Sequence, residues 1–414
     1  MRTRNSRTVP TRAISALRKG PEVEPLRNDL GVAVQAVRAA FLQACTDVGV
    51  DPLRPQEVSR RLGVNKNLSW KMARVVSSHD EIEAAAMMPG AEGTEILARA
   101  FETHLAPPAD LENLRRAFRD FDLAVSRHGG SRAEFDAMLD GIRSDSNLEA
   151  SRRAAFKALS GLFGVRAKVR FSLYGIGPVK ANGRSDISLV AGLAGLCRLR
   201  PIGALPIFTT RTTGLNAERP LVEAAEEDGA SAFLLRDFSS FPPESARTVR
   251  FEGGMRVEFA DAPIGRIGEA DLYFGHVLPD AYAPQATEGD DLVELMTKVH
   301  LPAERLVSLV YVHRSLGGLD SIDASWHATM SSPLEPAIRQ RQTTLPIDAG
   351  LRLVDGAADA LEWTGLEGSA EMARLALAAI GTVPEDCRLY VVDCTHPPAP
   401  ATLLVRWDLP SAGS

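Results

Sequence analysis

The densest run of acid–base side chains is His313-Arg314 followed by Asp320, Asp323 and His327. Histidine titrates near neutrality, and a carboxylate beside it can fix its tautomer, so such a set suits proton transfer or a ligand contact. His276 and His300 could join it in three dimensions. His313 closes a strand-like apolar run, and ligand contacts collect where strands pass into loops. The set carries no HExxH, no nucleophile elbow and no paired Cys/His signature. His313, Asp320, Asp323 and His327 are therefore a candidate ligand site, and no catalytic residue is assigned. Cys387-x6-Cys394-x-His396 matches no common zinc spacing and runs into Pro397-Pro398, so it reads as a buried cysteine pair on a strand and no metal is expected. Gly175-Ile-Gly177-Pro178 lacks the third glycine of a dinucleotide fingerprint, with Lys180 in its place. Gly177 to Gly183-Arg184-Ser185 has five intervening residues where a phosphate loop has four. Both read as a mobile turn, and no cofactor is expected.

A second group of residues suits a different chemistry, the recognition of a polyanion. Arg54-Pro-Gln-Glu-Val-Ser-Arg-Arg-Leu-Gly-Val-Asn-Lys-Asn-Leu-Ser-Trp-Lys-Met-Ala-Arg74 contains what two crossing helices joined by a tight turn require. Ser59 is the small residue at the crossing and Gly63, four later, is the turn glycine. Val58, Leu62, Val64, Leu68, Met72 and Val75 supply an apolar clamp. Pro55 suits the first position of a helix, where its missing N–H costs nothing, and Asn65 suits an N-cap.

This segment resembles the helix-turn-helix of bacterial transcription regulators over about residues 54–76, most closely in Glu57-Val58-Ser59-Arg60-Arg61-Leu62-Gly63-Val64. The resemblance implies that residues 65–76 form a recognition helix docked in the major groove of double-stranded DNA. If Leu68 and Met72 face inward, a rotation of 100° per residue turns Lys66, Ser69, Trp70 and Ala73 outward. Lys66 would then meet phosphate or guanine, and Ser69 a base edge or phosphate. Arg60, Arg61, Lys71 and Arg74 flank that surface and suit phosphates, and Asn65 and Asn67 complete the candidate DNA-binding set. Trp70 departs from the pattern, either facing DNA or packing against the helix from Asn28 or a partner subunit. Beyond about residue 80 the resemblance is only to uncharacterised bacterial proteins.

The elements that must position these groups follow from periodicity. Leu30, Val34, Val37, Phe41 and Cys45 recur at helical spacing, as do Ile96, Leu97, Ala100 and Phe101, and then Leu111, Leu114, Phe118, Phe121 and Val125. Ser131 and Glu134 form a capping box for a helix ending by about Ile142, and a further helix spans about Asn147 to Val165. From Val165 the period becomes two, with Val165, Ala167, Val169, Phe171 and Leu173 on one side. Thr248–Glu252 and Met255–Phe259 flank Gly253-Gly254, a hairpin signal. Further strands are predicted near Ala232–Phe238, Ala270–Val277, Arg305–His313, Arg388–Asp393 and Ala401–Trp407, with a late helix over Ser369–Ile380.

The net charge of −6 over 414 residues is uneven: residues 1–76 hold 14 Lys/Arg against 6 Asp/Glu, the remainder 33 against 47. A basic start on an acidic body fits a polyanion partner. Residues 1–26 read as a disordered basic tail, although an acid-free, Arg- and Ser-containing stretch is also the composition of a transit peptide. No apolar run reaches the length of a membrane helix, the longest, Ile187 to Phe208, being broken by Arg198, Arg200 and two prolines. Four cysteines in so long a chain suit a reducing cytoplasm.

The expected architecture is α plus α/β: a helical DNA-binding region over 27–165 and a mixed α/β domain over 166–414. The expected function is a DNA-binding transcriptional regulator that works as a homodimer, whose second domain senses a small-molecule or protein effector. An enzyme in residues 166–414 with an accessory helical module, or a protein-interaction scaffold, are the other readings.

Overall fold

The computed structural model describes residues 6–8, 23–142, 148–211, 218–222, 233–240, 246–252, 254–260, 262–286, 291–329, 344–354 and 365–411. The chain divides into two compact units, one of residues 15–148 and one of residues 1–14 with 149–414.

The first unit is helical. Its described helices are α1 (Glu24–Asp47), α2 (Pro55–Leu62), α3 (Lys66–Ser77), α4 (Glu81–Met87), α5 (Ala91–Thr103), α6 (Pro108–Gly129) and α7 (Arg132–Ile142). The two long helices run antiparallel, because Asp29 near the start of α1 bonds Arg127 and His128 at the end of α6, each at 2.9 Å. Each buries one stripe: Leu30, Val34, Val37 and Phe41 from α1, and Leu114, Phe118 and Phe121 from α6. Phe41 meets Phe101 edge-on at 5.8 Å, and Phe121 meets Phe135 at 6.2 Å. The capping box forms as its spacing requires: Ser131 N donates to Glu134 Oε2 and Glu134 N to Ser131 Oγ.

The second unit opens with α8 (Leu148–Phe163) and is otherwise mostly sheet. Its strands are β1 (Ser6–Thr8), β2 (Val165–Ile176), β3 (Ser185–Arg198), β4 (Leu205–Arg211), β5 (Arg219–Pro220), β6 (Ala246–Phe251), β7 (Gly254–Phe259) and β8 (Ala270–Tyr282). There follow β9 (Leu292–Val299), β10 (Ala303–His313), β11 (Asp323–Ala328), β12 (Thr344–Asp348), β13 (Arg352–Val354), helix α9 (Ser369–Ala378), β14 (Cys387–Thr395) and β15 (Ala401–Asp408). An eight-stranded sheet has the order β1-β13-β14-β10-β2-β3-β8-β5, a four-stranded sheet β12-β11-β15-β9, and a three-stranded sheet β4-β7-β6. In the large sheet β2 and β10 are parallel, and the other pairs are antiparallel.

Alternation along β2 sends its residues to two different layers. Phe171 and Leu173 join Met372, Ala376 and Leu377 of α9 in one core. Arg170, Ser172 and Tyr174 point the other way, at the small sheet. Tyr174 Oη donates to Met296 O at 2.6 Å and Arg170 Nε to Lys298 O at 3.1 Å, while Ser172 Oγ bonds Thr297 Oγ1 and Ser308 Oγ. Met296, Thr297 and Lys298 lie on β9, an edge strand of the small sheet, and Ser308 lies on β10. Side chains of the large sheet thereby satisfy an edge that would otherwise invite foreign strands.

Several expectations need correction. The boundary falls between 148 and 149 and not at Val165, because α8 packs with the sheets: Phe156 lies 5.4 Å from the His396 ring. A change of period marks a change of secondary structure, whereas a domain boundary is set by contacts. Of the expected disordered tail, residues 1–5 and 9–22 lie outside the described residues. Ser6–Thr8 pairs with β13, and α1 already begins at Glu24. The strand expected at Ala232–Phe238 is a single bridge at Leu234 followed by a 3-10 turn over Arg236–Phe238. The hairpin is shifted by one: Phe251 pairs with Gly254. Gly254 also pairs with Arg211 of β4, and a central strand needs its backbone for both ladders. No described helix is long and apolar enough to cross a membrane.

Candidate nucleic-acid interface

Pro55 opens α2, and the helix ends at Gly63 with φ +70°, a left-handed conformation that glycine adopts without a Cβ penalty. Ser59 Oγ donates to Val64 O at 2.7 Å, which explains why a small hydroxyl residue stands at the crossing. Asn65 caps α3, its side chain accepting from Asn67 N at 2.7 Å. Val58, Leu62, Val64, Met72 and Val75 are buried and Leu68 is half-buried, so the clamp closes as its spacing indicates.

A further contact holds α3. Arg38 of α1 is buried, and it donates from Nε to Val75 O at 2.7 Å and from Nη2 to Ser78 O at 2.6 Å. A cation at the C-terminal end of a helix meets unpaired carbonyls and the negative end of the dipole. Sequence reasoning missed this residue. Its signal was a lone arginine inside the apolar stripe between Val37 and Phe41.

The outward side of α3 presents Asn65, Lys66, Asn67, Trp70 and Arg74, all exposed, with Lys71 and Ala73 half-buried at its margins. Ser69 is not part of it. That residue is 1% exposed and its Oγ donates to Lys66 O at 3.0 Å, so the expected base-edge contact from Ser69 is corrected. The helix is rotated so that Met72, Val75 and Ser69 share the inner arc, and Trp70 becomes the centre of the outer one. Trp70 is 49% exposed, with the Arg74 guanidinium 5.8 Å from its ring centroid. On α2, Arg60 is exposed, whereas Arg61 is already engaged, donating to Gly49 O at 2.6 Å and lying 3.7 Å from Glu57.

Net positive charge is concentrated in the same segment. Between residues 54 and 77 stand Arg54, Arg60, Arg61, Lys66, Lys71 and Arg74 against Glu57 alone, whereas the rest of 23–148 has 9 Lys/Arg and 18 Asp/Glu. A basic face on an acidic body orients a polyanion toward that face.

The four candidate ligand residues of the second unit stand on three elements. His313 ends β10 in the large sheet, its Nδ1 2.7 Å from Ser315 Oγ. Asp320 is exposed on a 3-10 turn, and Asp323 and His327 lie on β11 of the small sheet. Asp323, Ser325 and His327 alternate onto one face of β11, and Ser325 Oγ lies 2.9 Å from His327 Nε2. All three are buried, so this serine is not an exposed nucleophile. His276 does not join them: on β8 it lies 3.6 Å from Glu218 Oε2, and burial pushes its pKa below the usual histidine value despite that carboxylate. His300 is lowered by burial and then by Lys298 and Arg170.

The remaining motifs resolve structurally. All four cysteines are free and buried, and burial pushes the Cys45 thiol up to about 12. Among the described residues no three His, Cys, Asp or Glu side chains are grouped to hold a metal. The glycine-rich turn after β2 is clipped and not loose: Lys180 Nζ bonds Asp186 at 2.8 Å and Asp280 at 2.5 Å, and Asn182 bonds Asp280 at 2.9 Å.

No protein-family model and no curated protein matches the chain. Among solved structures, a protease candidate from Parabacteroides distasonis is similar at 6% identity and a TM-score of 0.27, covering 59% of this chain and 40% of that one. A mutant M1 zinc metallopeptidase from Deinococcus radiodurans is similar at 10% identity and a TM-score of 0.21, covering 55% and 42%. The chain thus spans about two fifths of either protein, and likeness at these scores carries no functional argument.

Proposed function

We propose that this protein is a DNA-binding transcriptional regulator whose α2–Gly63–α3 segment is a helix-turn-helix with α3 as the recognition helix. The observation that carries the reading is the sidedness of α3. Its apolar residues close on α1 and α2, while Asn65, Lys66, Asn67, Trp70 and Arg74 stand together on the exposed side. A helix offered in this way fits the major groove, with its cations on phosphates and its central side chains at base edges. Arg60 and Lys71 extend the phosphate contacts, and Arg61 serves chiefly to hold the α1–α2 connection.

One recognition helix reads few base pairs, so the active species is a homodimer on half-sites about 10 bp apart. The outer face of α1 and α6, where Val32 is 76% and Leu123 64% exposed, is the surface available for that pairing. The second unit then serves as the module for an effector or for oligomerisation. The test is binding of the full chain to duplex DNA against salt. Five or six phosphate contacts give a log–log slope of about −5. A folded chain without salt-sensitive retention of duplex DNA at low ionic strength overturns the regulator.

A further inference from the structure

We propose that Trp70 and Arg74 act as one reading head, selecting a guanine that has a thymine beside it. The proposal rests on the DNA-binding reading of α3 and goes beyond it by assigning the bases. At 100° per residue, Met72, Ser69 and Val75 define the inner arc, and Trp70 lies at the middle of the opposite one. Lys66 and Arg74 sit one turn to either side of it. Trp70 and Arg74 therefore stand side by side at the middle of the exposed arc. The half-exposed ring of Trp70 contrasts with Trp326 and Trp407, which are fully buried.

Arg74 is held and yet unspent. Its guanidinium carbon lies 5.8 Å from the indole centroid, within cation–π range, and among the described residues no ion pair or side-chain hydrogen bond engages it. A contact to phosphate needs only a point charge. A planar fork whose orientation is restricted by an aromatic face is instead pre-organised for the two acceptors of guanine, O6 and N7. The indole places a largely apolar ring next to that fork, and the apolar feature of the major groove is the C5-methyl of thymine. The two side chains leave the helix one turn apart and converge on each other, which brings them to neighbouring base pairs.

The full-length chain is tested by selection from a random duplex library, followed by binding to the selected duplex and to an unselected one. Selection should enrich a guanine flanked by thymine. Arg74→Lys should lose roughly 5- to 150-fold on the selected duplex, the range of one bidentate pair, and little on the unselected one. Lys66→Ala should weaken both alike. Replacing the thymine by uracil removes only the methyl, and should weaken the native chain several-fold while leaving Trp70→Ala indifferent. Absence of DNA binding by every variant overturns both the reading head and the regulator. Normal binding with Arg74→Lys unchanged, or with the uracil effect equal in the native chain and Trp70→Ala, overturns the reading head alone. So does a Trp70→Ala chain that sediments as a monomer where the native chain is a dimer, since that assigns the indole to a second copy.

Discussion

The outer face of α3 and the polar face of β11 both gather polar side chains and treat them in opposite ways. On α3 the amides, cations and indole are turned to solvent with few internal partners. On β11 Ser325 and His327 are buried and bonded to each other, and Asp323 accepts from Ala324 N at 2.8 Å. Burying a polar group costs free energy unless it is paired, so the β11 set is committed to the fold. Groups left unpaired at an exposed face retain their bonding capacity for a partner. A cluster of chemically able residues in sequence is thus no guide to function until its exposure is known.

The sharpest way to probe this contrast is to cut the support behind α3. Met72→Ala empties a fully buried clamp position and should cost about 2–5 kcal/mol in denaturant unfolding of the helical unit. Loss well under 1 kcal/mol would mean that α3 is not anchored there.

Next come the polar supports, one in each unit. Arg38→Met should strand the Val75 and Ser78 carbonyls, and Tyr174→Phe the Met296 carbonyl, each costing about 1–3 kcal/mol. Chemical denaturation followed by separate probes for the two units should assign Arg38→Met to the helical transition and Tyr174→Phe to the sheet transition. A swapped assignment would break the comparison.

A smaller effect is expected from pH. The folded-state pKa of His276 is held below its unfolded value near 6.5 by burial. Between those two values the unfolded chain binds more protons, so stability rises with pH. The contribution is complete above about pH 6.5 and is lost as pH falls through the folded value. The melting temperature of the sheet unit should therefore drop on acidification below neutrality, and His276→Gln should flatten that dependence. An unchanged slope in the variant would place the titration elsewhere.

The smallest stability effect belongs to the exposed face itself. Lys66→Ala should change stability by no more than about 0.5 kcal/mol, yet lower the salt slope of DNA binding by about one. Loss of stability comparable with that of Met72→Ala would show that the face is structural.

Sequence by itself determined what neighbouring residues decide together. The two long helices of the first unit follow from a stripe every three to four residues, and the capping box and the αL turn at Gly63 from side chains that bond within a few positions, whereas the short α4 was not read. Along β2, strict alternation made the strand legible, as did the apolar runs of β8, β10, β14 and β15. Tertiary structure decided which way each element turned and what it met. Ser69 and Trp70 are adjacent, and only the packing of α3 against α1 and α2 buried the one and exposed the other. His313 and His327 lie close in the chain, and strand pairing assigned them to different sheets, with β2 and β10 joined across more than a hundred residues. The physical reason is that periodicity is a local property of the backbone, whereas burial and strand partnership depend on contacts between segments remote in sequence, whose pairing no local pattern specifies.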